Sequence, residues 1–95
     1  MDWVERTKEE LRLRGYSQST VKNYSGCLFD YFRFKKDQVE KIDFENIRKF
    51  LLLKERKRLA GQTINLYLNA IKFFYKEVVG YKGKIYFKTV KKSFL

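Results

Sequence analysis

The chain has 95 residues, with 22 Lys and Arg against 11 Asp and Glu, a formal net charge of +11, 44% hydrophobic and 18% aromatic residues, one cysteine, and neither proline nor histidine. That length allows one domain, and the apolar content suffices for a core without metal or disulfide staples. Without histidine there is no imidazole general base and no His-containing metal site, and a single cysteine makes neither an internal disulfide nor a Cys cluster, so no cofactor is expected.

Hydrophobic periodicity divides the chain into four helical segments and a tail, with glycine as the main punctuation. The first helix runs from about Asp2 to Arg14, with Trp3, Val4, Leu11 and Leu13 as its few apolar residues, and stops at Gly15. The second follows Ser17, an N-cap residue, and carries Val21, Tyr24, Leu28, Tyr31 and Phe32 on one face. A charged connection, Lys35 to Ile42, leads to Asp43 as N-cap of the third helix, whose inward residues are Ile47, Phe50 and Leu51 and which ends near the basic run Lys54 to Arg58. The fourth follows Gly61, with Ile64, Tyr67, Leu68, Ile71, Phe74, Tyr75 and Val78 on one face until Gly80. Tyr81 to Leu95 holds five lysines and no acid, and its Ile85-Tyr86-Phe87 run reads as extended structure or linker. The expected organisation is therefore a bundle over 1–80 and a basic tail over 81–95.

Nothing at the N-terminus has the form of a signal peptide, so an intracellular, cytoplasmic protein with Cys27 reduced and packed beside the core stripe is expected. No apolar stretch approaches the ~20 residues that cross a bilayer, and no membrane partner is expected. A charge of +11 on so short a chain favours a polyanion.

The second and fourth helices echo each other. Thr20-Val21 corresponds to Thr63-Ile64, Tyr24 to Tyr67, Leu28 to Ile71, Tyr31 to Phe74 and Phe32 to Tyr75. Chance resemblance between two amphipathic helices is the plain alternative. Their N-termini add to the argument. Helices one and three open with acids, Asp2 and Glu5, Asp43 and Glu45, as the macrodipole favours. Helices two and four open instead with Ser17-Gln18-Ser19-Thr20 and Gly61-Gln62-Thr63, which leave the positive end free for a phosphate. Opposite the core stripes lie Ser19, Lys22, Asn23, Gly26 and Arg33 on helix two, and Gln62, Asn65, Asn69, Lys72 and Lys76 on helix four. These residue types read bases and bind phosphates, and Asp30 is the one acid in the two stripes. Gly26 either admits a partner's backbone or is simply tolerated at mid-helix. Leu66 and Phe73 lie away from the fourth helix's core stripe, to pack under the tail or to form a patch for another domain or subunit.

The run from Gly15 to Tyr24, followed by Leu28 and Phe32, resembles the start of the N-terminal core-binding domain of the tyrosine recombinases, the phage-integrase and Xer-like proteins. Ile42 to Leu51 is similar to that family's third helix, and Thr63 to Leu68 with Ala70 to Phe74 to its fourth. The resemblance implies an all-α, four-helix SAM-like orthogonal bundle that grips double-stranded DNA with its second and fourth helices. By position it implies contacts from Ser19, Thr20, Lys22 and Asn23, and from Gln62, Thr63, Asn65, Asn69 and Lys72, to which the open helix starts and the polar stripes add Ser17, Gln18 and Lys76 as expected contacts. It departs from the family at Ala60, where a serine is usual ahead of the fourth helix. The Arg, His and Tyr residues that break and rejoin DNA have no counterpart, which implies a non-enzymatic DNA-binding module. Its further partners would be the catalytic domain of a parent chain, absent here, and other recombinase subunits on DNA, with the tail similar to the interdomain linker. A protein-interaction or oligomerisation module built on Leu66, Phe73 and the tail, with incidental charge, is the competing reading. RNA binding is a third, disfavoured because the aromatics sit at core spacing.

Overall fold

The computed structural model describes residues 1–87; the expectations placed on Lys88–Leu95 lie outside the described residues. Four α-helices follow in order: α1 (Trp3–Leu13), α2 (Gln18–Lys35), α3 (Phe44–Arg56) and α4 (Gly61–Phe73), which passes directly into a π-helical segment, Phe74–Val79. Among the described residues there is no strand, so Ile85-Tyr86-Phe87 is not β structure.

Each helix begins where a local cap satisfies its orphan N–H groups, with one exception. The carboxylates of Asp2 and Asp43 accept from the backbone N–H of Glu5 and Asn46, and the Ser17 hydroxyl accepts from Thr20 N–H. Ala60, ahead of α4, supplies no side-chain cap. The end of α1 is a Schellman turn: Gly15 N–H donates to Arg12 O and Tyr16 N–H to Leu11 O, with Gly15 at φ +79°. At the end of α4 the sequence spacing predicts an unbroken α-helix to Gly80; instead the ladder widens, and Gly80 N–H and Tyr81 N–H both donate to Tyr75 O. The slower rotation of this wider turn keeps Phe74 and Tyr75 fully buried while Lys76 and Glu77 stay outside.

The core is aromatic. Tyr31 stands edge-on to Phe50 at 5.0 Å, Phe50 to Tyr67 at 5.3 Å, Phe32 to Phe74 at 4.9 Å, and Trp3 to Phe74 at 5.7 Å, which joins α1 to the start of the π-helical segment. Such edge-to-face pairs add about 0.5–1.5 kcal/mol each beyond area burial. Burial of two tyrosines is made tolerable by partners for their hydroxyls: Tyr31 donates to Asn46 Oδ1 and Tyr75 to Val39 O, both at 2.7 Å. Burial pushes both phenols well above their ordinary range.

Two side chains read as lying off the core are part of it. Phe73 is buried in a second cluster with Leu11 and Val21, under Tyr16 and Tyr24, and Leu66 packs half-buried against the main cluster. Helical spacing alone placed them outward because the α1–α2 corner that covers Phe73 is invisible to the wheel of α4. The segment after Gly80 is also tied to the bundle: Ile85 is buried in the main cluster, and Tyr81 and Phe87 pack on Phe44.

Candidate nucleic-acid interface

On one flank α2 and α4 run in opposite senses, with Tyr24 against Phe73 and Asp30 against Tyr67. Tyr16, at the entry to α2, packs on Phe73 at the far end of α4. The two acid-free N-termini therefore do not converge: they are separated by roughly 18 Å, the length of α4 at 1.5 Å per residue. Lys22 and Asn23, by contrast, come level with the stretch of α4 that carries Lys72.

Of the sequence-derived contact residues, Ser17, Gln18, Ser19, Lys22, Asn23, Gln62, Asn65, Asn69 and Lys76 are exposed, and Thr20, Thr63 and Lys72 are half-buried. Neither first turn contains an acid. The Ser17 hydroxyl is occupied: it caps Thr20 N–H at 3.1 Å and donates to Thr20 Oγ1 at 3.0 Å. Its availability to a ligand is correspondingly reduced, and so is that of Thr20. Among the described residues Lys22, Lys72 and Lys76 have no carboxylate within ion-pair distance; the pairs formed are Lys8–Glu5, Arg14 with Glu10 and Glu77, and Lys54–Asp30.

Asp30 is not the solvated acid that its place in the polar stripe suggests. Its Oδ2 accepts from Lys54 Nζ at 2.9 Å and from Tyr67 OH at 2.7 Å, so a residue of α3 and a residue of α4 meet on one oxygen of α2. Lys54, read as part of a basic run, is buried, with its ammonium 5.0 Å from the ring centroids of both Phe50 and Tyr67. Burial by itself would raise the Asp30 carboxyl, but the two hydrogen bonds and the Lys54 charge outweigh it and hold the group below the usual carboxylate range. Burial pushes the Tyr67 phenol up, and its bond to Asp30 pushes it further. Cys27, next to this cluster, is buried, and burial raises its thiol to about 11, which makes it packing material rather than a nucleophile.

Three exposed cations were overlooked in the sequence: Arg56, Lys57 and Arg58, which immediately precede the uncapped start of α4. The run was visible, but helix-termination logic absorbed it as the favourable basic end of α3.

No group of three or more His, Cys, Asp or Glu stands close enough to hold a metal ion among the described residues. A cleft of about 650 Å³ between the start of α1 and the second half of α2 is walled by Trp3, Val4, Phe29, Phe32 and Val39, with Asp2 as its one acid. No helix of the described residues is long and apolar enough to cross a membrane.

This is the helical frame that the sequence motifs imply, and the family comparison agrees. The model for the phage integrase N-terminal SAM-like domain matches residues 3–85, and the chain belongs to that family. The match covers an N-terminal domain and no catalytic domain. Comparison with curated proteins and with solved structures returned no match.

Proposed function

We propose that the chain is the DNA-binding module of a site-specific tyrosine recombinase, contacting duplex DNA with the exposed faces of α2 and α4 and performing no chemistry itself. The observation that carries this reading is the charge of that surface: among the described residues Lys22, Lys72 and Lys76 stand without carboxylate partners, and the two acids nearest them, Asp30 and Glu77, are held by Lys54 and Arg14. On a chain of +11 this leaves cations and Asn or Gln side chains facing outward, the combination that neutralises phosphates and reads base edges. Ser17 to Asn23 and Gln62 to Lys76 are the contact segments of this reading, with Arg56, Lys57 and Arg58 added as phosphate contacts. Its partners are double-stranded DNA, a catalytic domain and other recombinase subunits on the same DNA. The competing protein-interaction reading loses Phe73, which is buried, and part of Leu66, which is half-buried, while the part of it that rests on Lys88–Leu95 lies outside the described residues.

The test is an NMR titration of the labelled chain with a short random duplex at low and then at raised salt. Concerted shifts of amides in both segments, reversed by salt, are expected. Replacement of Lys22 and Lys72 together by Ala is expected to weaken binding to every duplex and to lower the salt slope by about 2. Shifts restricted to Lys82 and Lys84, or an unchanged slope in the double variant, would remove α2 and α4 from the interface.

A further inference from the structure

Ser19, Asn23, Gly26 and Asp30 follow one another at i, i+4, i+7 and i+11, a single row along the outer side of α2, and Asp30 at its end reaches Tyr67 of α4. The first three are exposed, and there is open space where a Cβ on Gly26 would be, so nothing on this row overhangs Asp30 from the side of the helix start. An acid in a surface meant for a polyanion lowers affinity unless it is neutralised or has a ligand of its own. Here it is neutralised in an asymmetric way. Both donors, Lys54 Nζ and Tyr67 OH, converge on Oδ2, whereas no donor among the described residues reaches Oδ1, and the side chain keeps 38% of its surface exposed. One oxygen locks the carboxyl plane to α3 and α4; the other is an oriented acceptor with no partner among the described residues.

We propose that Asp30 is a specificity-determining residue of this surface, its Oδ1 accepting a hydrogen bond from the exocyclic amino group of a cytosine in the major groove, with Lys54 and Tyr67 as positioning residues acting through Oδ2. The cytosine N4 amino group is the base-edge donor that suits a carboxylate, and a fixed acceptor discriminates far better than a mobile one. Lys54 has a double part: it cancels the charge that would repel the phosphates and it fixes the plane that reads the base. The inference rests on the DNA-binding reading above.

Selection of bound sequences from a random duplex pool, performed with the wild-type chain and with Asp30→Asn, tests it, and Asn is chosen because its amide oxygen still accepts from Lys54 and Tyr67. The wild type is expected to enrich a C·G pair at one position, and Asp30→Asn to lose that enrichment or turn it toward adenine, with the salt slope of binding unchanged. Lys54→Met, provided its far-UV and near-UV spectra match the wild type, is expected to weaken binding to all duplexes and to blur the same position; rescue in Asp30→Asn/Lys54→Met restores the first and not the second. A wild-type pool without enrichment, or an Asp30→Asn pool identical to the wild type's but bound uniformly tighter, would reduce Asp30 to a tolerated acid. Absence of any salt-dependent duplex binding would instead overturn the DNA-binding reading itself.

Discussion

The corner between α1 and α2 and the corner between α3 and α4 are built on one plan and finished differently. In both, a Schellman turn ends the first helix: Gly15 N–H to Arg12 O and Tyr16 N–H to Leu11 O in one, Arg58 N–H to Glu55 O and Leu59 N–H to Lys54 O in the other. In both, the residue two places after the left-handed position has nearly the same extended backbone, φ −63° and ψ 156° at Ser17, φ −59° and ψ 149° at Ala60. The internal echo seen in α2 and α4 thus extends back through Gly15/Arg58, Tyr16/Leu59 and Ser17/Ala60 into the turns. At the first corner every position carries the residue that costs least: glycine at φ +79°, a capping serine. At the second, an arginine sits at φ +60° and an alanine leaves the N–H groups of α4 uncapped. The second corner forgoes stability twice within three residues. What it keeps is a cation beside a bare helix N-terminus, and under the DNA-binding reading that trade has a purpose.

The first corner is the place to break the comparison. Gly15→Arg, which gives it the residue of the second, is expected to destabilise the domain by about 0.5 to 1.5 kcal/mol: a left-handed non-glycine residue costs about 1 to 2 kcal/mol, no atom crowds a Cβ there, and the stiffer unfolded chain offsets roughly 0.5 kcal/mol. Thermal unfolding would register this as a fall of some 2–12 °C, about 4–8 °C per kcal/mol for a domain of this size. Ser17→Ala removes the cap and is expected to cost about 1 kcal/mol. Equal melting temperatures for these variants and the wild type would mean that the corner's residues are interchangeable and its resemblance to the second corner carries no energetic meaning.

How far these features are legible in the sequence depends on the range over which each is determined. The four helices, their N-caps at Asp2, Ser17 and Asp43, and the lack of acids in the first turns of α2 and α4 are local properties and read directly. Phe73 was misplaced because its partners, Leu11 and Val21, belong to other helices. Asp30 and Lys54, 24 residues apart, gave no sign of their pairing, since each reads alone as an ordinary surface charge. The left-handed Arg58 escaped for a different reason: sequence signals announce helix ends by glycine, and here the turn forms without one.

The second corner sharpens the comparison from the other side. Ala60→Ser restores to α4 the side-chain cap that α2 has and is expected to stabilise the domain by somewhat less than 1 kcal/mol. The hydroxyl would take over the N–H of Thr63, which now donates to the Ala60 carbonyl at 3.0 Å, in the geometry that Ser17 uses for Thr20. A hydrogen-exchange measurement on the first turn of α4 would show slower exchange; an unchanged rate would mean that the Ala60 carbonyl already serves Thr63 N–H as well as a hydroxyl does.

Arg58→Gly is the smallest effect and the most discriminating. Relief of the left-handed backbone contributes about 1 kcal/mol, and the greater freedom of glycine in the unfolded chain offsets roughly half of it, for a net gain near 0.5 kcal/mol. If the arginine is there only because the turn tolerates it, the variant melts 2–4 °C higher and nothing else changes. If it is a phosphate contact, the same variant melts higher and yet binds every duplex more weakly, with the salt slope lower by about 1. Opposite signs for stability and affinity in one substitution would identify the strain at Arg58 as the cost of a cation placed for a partner.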